Sequence, residues 1–281
     1  MNNSLEIRHL YKRYYGFTLD NVCLNIPSGC VMGLIGENGA GKTTLFKLIL
    51  DMINRDGGYI NVLGKDNRKD FHLTKQDLGI VLDEPVFQGY LTAESISRIM
   101  GGIFISWDGQ KFKTYLERLN VPANKKFDKL SSGMKMKLSI AIAMSHGSKL
   151  LLFDEAMRGL DPVSRYEVMD MIYEYTREED CSALLSSHIV SDLEKICDYV
   201  AFLHKGRIIM CDEKDNLLER YGRIFCDGEK IKSISPQFIK FKRETPYGVE
   251  AILDREGIPN DLNFTPVGLE DVFVFTVKGG E

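Results

Sequence analysis

The chain has 281 residues, of which 44% are hydrophobic and 27% are charged, and its formal net charge is −4. This length suits one large α/β domain with a smaller addition, and the acidic balance provides no bulk electrostatic attraction for DNA or RNA. No apolar run approaches the roughly 18 residues of a membrane span, and the first residues do not have the pattern of a signal peptide. The six cysteines form no C-x-x-C pair. We therefore expect reduced thiols and a cytosolic chain that does not itself cross a membrane.

Strand and turn patterns alternate through the first third of the chain. The opening strand shows the period-two alternation of a half-buried strand. Turn signals such as Pro27-Ser28-Gly29 and Asp56-Gly57-Gly58 separate the apolar runs. The predicted strands are residues 5–10, 19–26, 31–35, 59–63 and 78–82.

A glycine-rich stretch, G-E-N-G-A-G-K-T-T, follows the third strand and precedes an apolar helical run. It matches the phosphate-loop pattern G-x-x-x-x-G-K-[ST], in which glycines allow successive backbone N–H groups to point at phosphates. A helix that starts near Lys42 adds its positive end, so that Lys42 can reach the β- and γ-phosphates and the Thr43 hydroxyl can bind Mg²⁺. The sequence therefore predicts a nucleotide site. Its loop residues are Gly36, Glu37, Asn38, Gly39, Ala40, Gly41, Lys42, Thr43 and Thr44.

Helical spacing replaces the strand pattern from about Thr92 to Ser145, with Thr92 as a plausible N-cap. We expect an inserted helical subdomain over about residues 86–146. Its last helix is preceded by L-S-S-G-M, in which Ser131 and Gly133 lie at the helix start. A hydroxyl beside free helical N–H groups forms an anion site, although an ordinary serine N-cap has the same pattern.

The α/β pattern returns at residues 150–153, a buried strand that ends in Asp154-Glu155. Parallel α/β sheets bind ligands at the carboxyl ends of their strands, so Asp154 can hold Mg²⁺ opposite Thr43. Glu155 can orient and polarise the water that attacks the γ-phosphate. Asp161-Pro162 starts the next helix. The elements predicted beyond it are a strand at 182–186, a helix at 189–196 and a hairpin formed by 199–203 and 207–211.

Short strand-like runs dominate beyond about Tyr221, and an apolar segment at 269–277 follows them. We place a domain boundary near Gly222. The predicted organisation is a nucleotide-binding domain at 1–221 and a small accessory domain at 222–281. The strand-like runs of the accessory domain are 224–226, 238–241 and 249–253.

In this order, the motifs resemble those of the ATP-binding cassette (ABC) ATPases over roughly residues 4–213. Residues 36–44 resemble Walker A, 150–155 resemble Walker B and 130–134 resemble the signature L-S-G-G-Q. Residues 159–161 are similar to the D-loop, and His188 matches the switch histidine. The resemblance implies an α/β fold, the P-loop NTPase fold of ABC ATPases. It further implies an antiparallel β subdomain, an inserted helical subdomain and a small C-terminal α+β extension.

The resemblance also implies roles for individual residues. Lys42, Thr43 and Thr44 would bind phosphate and metal, Glu155 would be the general base or position the water, and His188 would contact the γ-phosphate. A tyrosine before Gly16 would stack on adenine, and we prefer Tyr14 to Tyr15.

Several positions depart from the family pattern. Ser132 and Met134 replace glycine and glutamine of the signature, and Ala156 replaces the proline after the catalytic glutamate. Met157-Arg158 stands where Thr-Ser is common. Asp83 occupies the position of the Q-loop glutamine, and a carboxylate near a γ-phosphate is repulsive unless Mg²⁺ or water lies between them. We therefore expect Asp83, or the neighbouring Glu84, to act through the metal or to leave the site.

The chain carries one phosphate loop and one signature, so the resemblance implies a second ATPase subunit, identical or related, in a head-to-tail dimer closed by ATP. It also implies ATP hydrolysis with Mg²⁺ as cofactor and a separate transmembrane permease as partner. The chain would contact the membrane only through that permease, on the cytoplasmic face, without nucleic acid. Candidate permease contacts are Phe87, Tyr90 and Leu91.

Finer resemblance, in the tail at 268–273 and in the helical subdomain, favours ATPases that export drugs or antimicrobial peptides. Two alternatives remain. A soluble ABC ATPase in DNA repair or translation usually has tandem cassettes, coiled-coil insertions or basic surfaces, and the sequence has none of these. A phosphoryl-transferring kinase would have no use for Glu155 and Ser131.

Overall fold

The structure, a computed structural model, describes residues 3–82, 87–178, 181–246, 248–256, 258 and 262–278. The strands are β1 Asn3–Tyr14, β2 Phe17–Pro27, β3 Val31–Gly36, β4 Gly57–Val62, β5 Lys65–Asp66, β6 Leu78–Val81, β7 Leu150–Asp154, β8 Ser182–Ser187, β9 Tyr199–His204, β10 Arg207–Glu213, β11 Tyr221–Cys226, β12 Ile239–Thr245 and β13 Gly248–Asp254. The α-helices are α1 Lys42–Ile49, α2 Ala93–Ile103, α3 Gly109–Arg118, α4 Ser132–Ala143, α5 Pro162–Glu178, α6 Val190–Ile196, α7 Lys214–Arg220, α8 Gly228–Ser233 and α9 Leu269–Lys278.

The central sheet has the strand order β10-β9-β3-β8-β7-β6. The strands from β9 to β6 are parallel, and β10 pairs with β9 in the antiparallel direction. Every residue of β3, β7 and β8 is buried, as expected for parallel strands covered on both faces. The carboxyl ends of these three strands meet at one edge of the sheet, where α/β folds bind ligands.

The alternating side chains of β3 reach two separate hydrophobic cores. Val31 and Ile35 belong to the core shared with helices α2 to α6, whereas Met32 and Leu34 belong to the core shared with α1. The second core also covers the antiparallel sheet β2-β1-β4-β5. Helix α1 is therefore packed against β3, which fixes the two ends of the loop between them.

Helices α2, α3 and α4 form the helical segment that the sequence predicts. The predicted N-cap is confirmed, since the Thr92 side chain accepts the Ser95 N–H and the Ser95 hydroxyl accepts the Thr92 N–H. Arg118 of α3 forms ion pairs with Glu167 and Glu174 of α5. This segment is therefore attached to the helix that follows the D-loop motif.

The C-terminal residues form the antiparallel sheet β11-β13-β12, whose side chains have a small core of their own. Helix α9 belongs instead to the main core, where the Phe273 ring lies 5.3 Å from the Phe202 ring of β9. The Leu269 N–H at the start of α9 donates to the Glu194 carboxylate of α6 at 2.9 Å. This part of the chain is thus anchored on the helix that follows His188.

Among the described residues, no helix combines the length and the apolar character needed to cross a bilayer.

Candidate functional site

A cavity of about 440 Å³ opens above the carboxyl end of β3. Its walls come from the β1–β2 hairpin, the glycine-rich loop, the start of α1 and the segments that follow β7 and β8. The lining residues are Phe17, Glu37, Asn38, Gly39, Gly41, Lys42, Thr43, Thr44, Glu155, Arg158 and His188. Seven of the nine predicted loop residues are therefore on its surface, together with Glu155 and His188.

The loop conformation depends on glycine at two positions. Gly41 precedes α1 with a φ of 112°, and a Cβ there would lie 2.7 Å from the Phe17 ring. A Cβ on Gly36 would lie 2.5 Å from the Leu203 carbonyl oxygen. Ala40 is buried and donates its N–H to the Glu37 carbonyl at 3.1 Å, so Gly36 and Ala40 support the loop from behind.

Lys42 lies across the loop, with only 6% of its surface exposed. Its Nζ donates to the carbonyl oxygens of Gly36 at 2.7 Å and Glu37 at 3.2 Å. The same atom lies 3.3 Å from Glu155 Oε1. The ammonium group is thus fixed at the centre of the cavity, where an anionic ligand would replace part of its contact with Glu155.

Glu155 has both carboxylate oxygens engaged. Oε1 faces Lys42, and Oε2 lies 2.7 Å from His188 Nδ1. Its backbone has a φ of 52°, a left-handed conformation that is unusual for glutamate and that directs its side chain into the cavity. The carboxylate is therefore held where it can accept a proton or orient a water molecule.

Asp154 is fully buried below Glu155. Its Oδ1 accepts the Ser186 hydroxyl proton at 2.6 Å, and the Ser186 oxygen accepts the Glu155 N–H at 2.9 Å. Asp154 Oδ2 is buried and has no hydrogen-bond partner among the described residues. A buried carboxylate oxygen without a partner is costly, and a hard cation such as Mg²⁺ is the ligand that suits it. The residues present therefore fit the metal expected there.

Asp161 lies at the start of α5, as the sequence predicts. Its Oδ1 accepts the N–H groups of Val163 at 3.1 Å and Ser164 at 3.0 Å, and its Oδ2 accepts the Ser164 hydroxyl at 2.5 Å. The hydroxyl of Ser164 lowers the pKa of Asp161, and the Ser164 N–H acts in the same direction. Asp161 is therefore a charged cap that fixes the D-loop motif on α5.

The predicted adenine-stacking tyrosines lie beside the cavity. Tyr14 is at the end of β1, 43% exposed, with Lys12 Nζ 5.2 Å from the centre of its ring. Tyr15 is fully exposed in the turn, and neither tyrosine is among the lining residues. Phe17, which pairs with Tyr14 across the hairpin, provides the aromatic side chain of the wall.

Ser131 and Gly133 lie at the start of α4, and none of the described lining residues comes from that helix. The Ser131 hydroxyl accepts the Met134 N–H at 3.2 Å, so it acts as an N-cap within the single chain. Asp83, the predicted metal ligand, and Glu84 lie outside the described residues.

Three residues of the site were missed by the sequence analysis. Ser186 connects Asp154 to Glu155, and the strand register that pairs Asp154 with Ser186 is the signal that would have found it. Phe17 and Arg158 line the cavity. Arg158 lies three residues after Glu155, a spacing that keeps it near the same edge of the sheet.

The protein-family model described as ABC transporter matches residues 19–158. The chain is 30% identical over 228 residues to the bacitracin transport ATP-binding protein BcrA of Enterococcus faecalis, covering 79% of this chain and 72% of that protein. It is 34% identical over 218 residues to the lantibiotic transport ATP-binding protein SrtF of Streptococcus pyogenes, covering 75% and 91% respectively. A solved structure described as the ATP-binding subunit of an ABC transporter superposes with a TM-score of 0.67 at 25% identity, covering 76% of this chain and 92% of that chain.

Proposed function

The chain belongs to the ABC transporter family as an ATP-binding and ATP-hydrolysing subunit, and we propose that its transporter exports antimicrobial peptides or related drugs. Two similar proteins support this substrate class, because one is named for bacitracin transport and the other for lantibiotic transport. The single observation that carries the ATPase mechanism is the position of Glu155 between Lys42 and His188 above the phosphate loop.

Different residues of the site bind the phosphates, activate the attacking water and contact adenine. The backbone N–H groups of the loop and Lys42 hold the phosphates, and Thr44 adds a hydroxyl at the helix start. Glu155 accepts a proton from the attacking water or orients it, and His188 keeps Glu155 in place and reaches the γ-phosphate. Tyr14, with Tyr15 as the alternative, stacks on adenine at the hairpin side of the cavity.

The Thr43 hydroxyl and Asp154 would hold Mg²⁺. The buried Asp154 Oδ2 supports this assignment. When bound, the metal neutralises phosphate charge. The contribution of the protein is to orient Asp154 through the Ser186 hydroxyl, so the carboxylate is in position before the cation arrives. Asp83 remains a candidate second ligand on sequence grounds alone.

The site is completed by a second ATPase subunit, identical or related. Ser131 and Gly133 carry the helix N-terminus that adds donors for the γ-phosphate, and neither is among the described residues that line the cavity of their own chain. We place them against the nucleotide of the partner. ADP lacks the γ-phosphate, so hydrolysis removes the contact and opens the dimer.

The ATPase domain spans residues 1–221, with a helical subdomain at about 86–146, and residues 222–281 form an accessory domain. The chain sits on the cytoplasmic face of the membrane, bound to a separate permease. Of the three candidate permease contacts, Tyr90 is 66% exposed, whereas Phe87 packs 5.5 Å from the ring of Phe127. Tyr90 is therefore the residue best placed to contact the permease.

The experiment that tests ATP binding compares Lys42→Ala with Lys47→Ala, an exposed lysine on the same helix. Equilibrium titration with a fluorescent ATP analogue should show loss of tight binding in the first variant and wild-type affinity in the second. Thermal melting confirms that both variants fold. Unchanged affinity in Lys42→Ala would count against the phosphate-loop assignment, and ATP hydrolysis stimulated by nucleic acid would favour the non-transport alternative.

A further inference from the structure

We propose that Arg158 is a second phosphate-binding cation, which contacts the γ-phosphate of ATP bound to its own subunit and makes the site prefer ATP to ADP. The inference rests on the proposed nucleotide site and adds a residue to it. Arg158 stands where the family resemblance gives serine, so this contact belongs to the chain and not to the shared motif.

The backbone places Arg158 at the edge of the cavity. Its N–H donates to the Glu155 carbonyl oxygen at 2.9 Å, which closes a tight turn directly after β7. Gly159 follows with a φ of 76°, so the chain turns away from the cavity immediately after Arg158. The Arg158 side chain is exposed and lines the same wall as Glu155 and His188.

Arg158 adds a positive charge to the wall of the cavity. Lys42 and His188 both contact the Glu155 carboxylate, at 3.3 Å and 2.7 Å. Arg158 contributes a further cation to a wall whose described acidic members are Glu37 and Glu155. A triphosphate has more negative charge than the loop and Lys42 alone can balance, and a guanidinium is always protonated and matches phosphate geometry with paired donors.

The position of Arg158 also selects which phosphate it contacts. The cavity has two sides. The hairpin side is formed by Phe17, which lies next to Gly41, and the hydrolytic side is formed by Glu155 and His188. Arg158 follows the same strand as Glu155 and belongs to the hydrolytic side. The terminal phosphate is the group that lies there, and ADP does not have it. The contact therefore contributes to ATP affinity and not to ADP affinity.

The test measures equilibrium affinities for ATP and ADP in Arg158→Ser, Arg158→Lys and the control Arg98→Ser, an exposed arginine on α2. Titrations use magnesium-free buffer with EDTA, at a protein concentration where light scattering shows a single chain, so that hydrolysis and dimer closure do not contribute. Arg158→Ser should weaken ATP binding about tenfold, the scale of one charge-assisted hydrogen bond, and leave ADP binding unchanged. Arg158→Lys should recover part of the loss, and Arg98→Ser should match the wild type.

An unchanged ratio of ATP to ADP affinity in Arg158→Ser, whether both affinities fall or neither does, overturns the proposal. A loss that occurs only when the dimer forms also overturns it, because the contact would then be with the nucleotide of the partner. Thermal melting of each variant identifies misfolding. Failure of the proposed function is distinguishable, because in that case the wild-type chain itself would bind neither nucleotide.

Discussion

At the scale of single residues, the contacts of Glu155 define what the cavity can do. Its carboxylate is 12% exposed and is shared between Lys42 Nζ and His188 Nδ1, two groups that phosphate would also attract. In the proposed mechanism, ATP draws Lys42 towards its phosphates, and Glu155 is then available to the attacking water. The left-handed backbone at Glu155 holds the side chain in position through this exchange.

We predict that Glu155→Gln retains ATP binding and lowers kcat about a hundredfold or more, because an amide has the shape of the carboxylate but cannot accept the proton. Phosphate release measured at saturating ATP gives kcat, and equilibrium titration gives the affinity. Glu117→Gln, at an exposed glutamate of α3, is the matched control and should hydrolyse ATP at the wild-type rate. Normal turnover in Glu155→Gln would refute the role assigned to Glu155.

The site residues that sequence reasoning predicted are those that belong to local motifs. Lys42, Glu155 and His188 each lie in a short segment whose spacing specifies its own turn or strand end. Ser186 was missed because its contact with Asp154 arises from pairing between strands that lie 32 residues apart in the sequence. Phe17 was missed because the turn offered two tyrosines, and side-chain direction in a hairpin depends on its register.

At the scale of elements, the apolar patterns predicted the strands of the central sheet well, but in the antiparallel sheet they did not predict the full length of β1. That strand continues to Tyr14 because its pairing with β2 persists up to the turn, where Tyr14 pairs with Phe17. Helices α7 and α8 were not predicted. Both are short, and short helices form through tertiary contacts, here the buried side chains Leu217 and Ile231. Helix α9 was anticipated only as an apolar segment.

The junction between α4 and β6 contains a buried histidine that makes folding sensitive to pH. The ring of His146 stacks on Phe104, with 3.8 Å between ring centres. Its Nδ1 lies 3.1 Å from the Ile142 carbonyl oxygen, and its Nε2 lies 3.0 Å from that of Leu78. Burial lowers the pKa of His146, and the raising effects of the two carbonyls and of Asp77 only partly oppose it.

We predict that the free energy of unfolding falls as the pH drops below about 6.5, the ordinary pKa of histidine. In that range the unfolded chain takes up a proton that native His146 does not, so stability is retained above this pH and lost on acidification towards the native pKa. Urea unfolding at pH 7.5 and 5.5 should show a weaker pH dependence in His146→Gln than in the wild type. His72→Gln, at an exposed histidine, is the control. Equal pH dependence in wild type and His146→Gln would show that His146 does not contribute.

At the scale of the whole molecule, the layers on both faces of the central sheet support the site at the carboxyl ends of its strands. The antiparallel sheet and α1 support the phosphate loop from one side, and the helices of the main core support Glu155 and His188 from the other. The resemblance of the motifs to those of ABC ATPases implied the α/β fold and its antiparallel β subdomain. The contact between α9 and α6 was not predictable, because it joins Leu269 to Glu194 across 75 residues and has no local signature.

At the start of α4, Ser131 is exposed and Gly133 is half-buried, and neither is among the described residues that line the cavity. The first N–H groups of a helix have no partner within the helix, so the start of α4 can bind an anion from another molecule. We therefore infer that the cavity is half of a site and that ATP joins it to the signature segment of a second subunit.

The most direct test is the molar mass of Glu155→Gln by light scattering during size-exclusion chromatography, with saturating ATP or ADP. We predict twice the mass of one chain with ATP and a single chain with ADP. When Gly133→Arg is added, we expect a single chain with ATP, because the bulky side chain blocks the helix start. A single chain at saturating ATP in Glu155→Gln, or a dimer that forms despite Gly133→Arg, would contradict the claim that the nucleotide is held between two subunits.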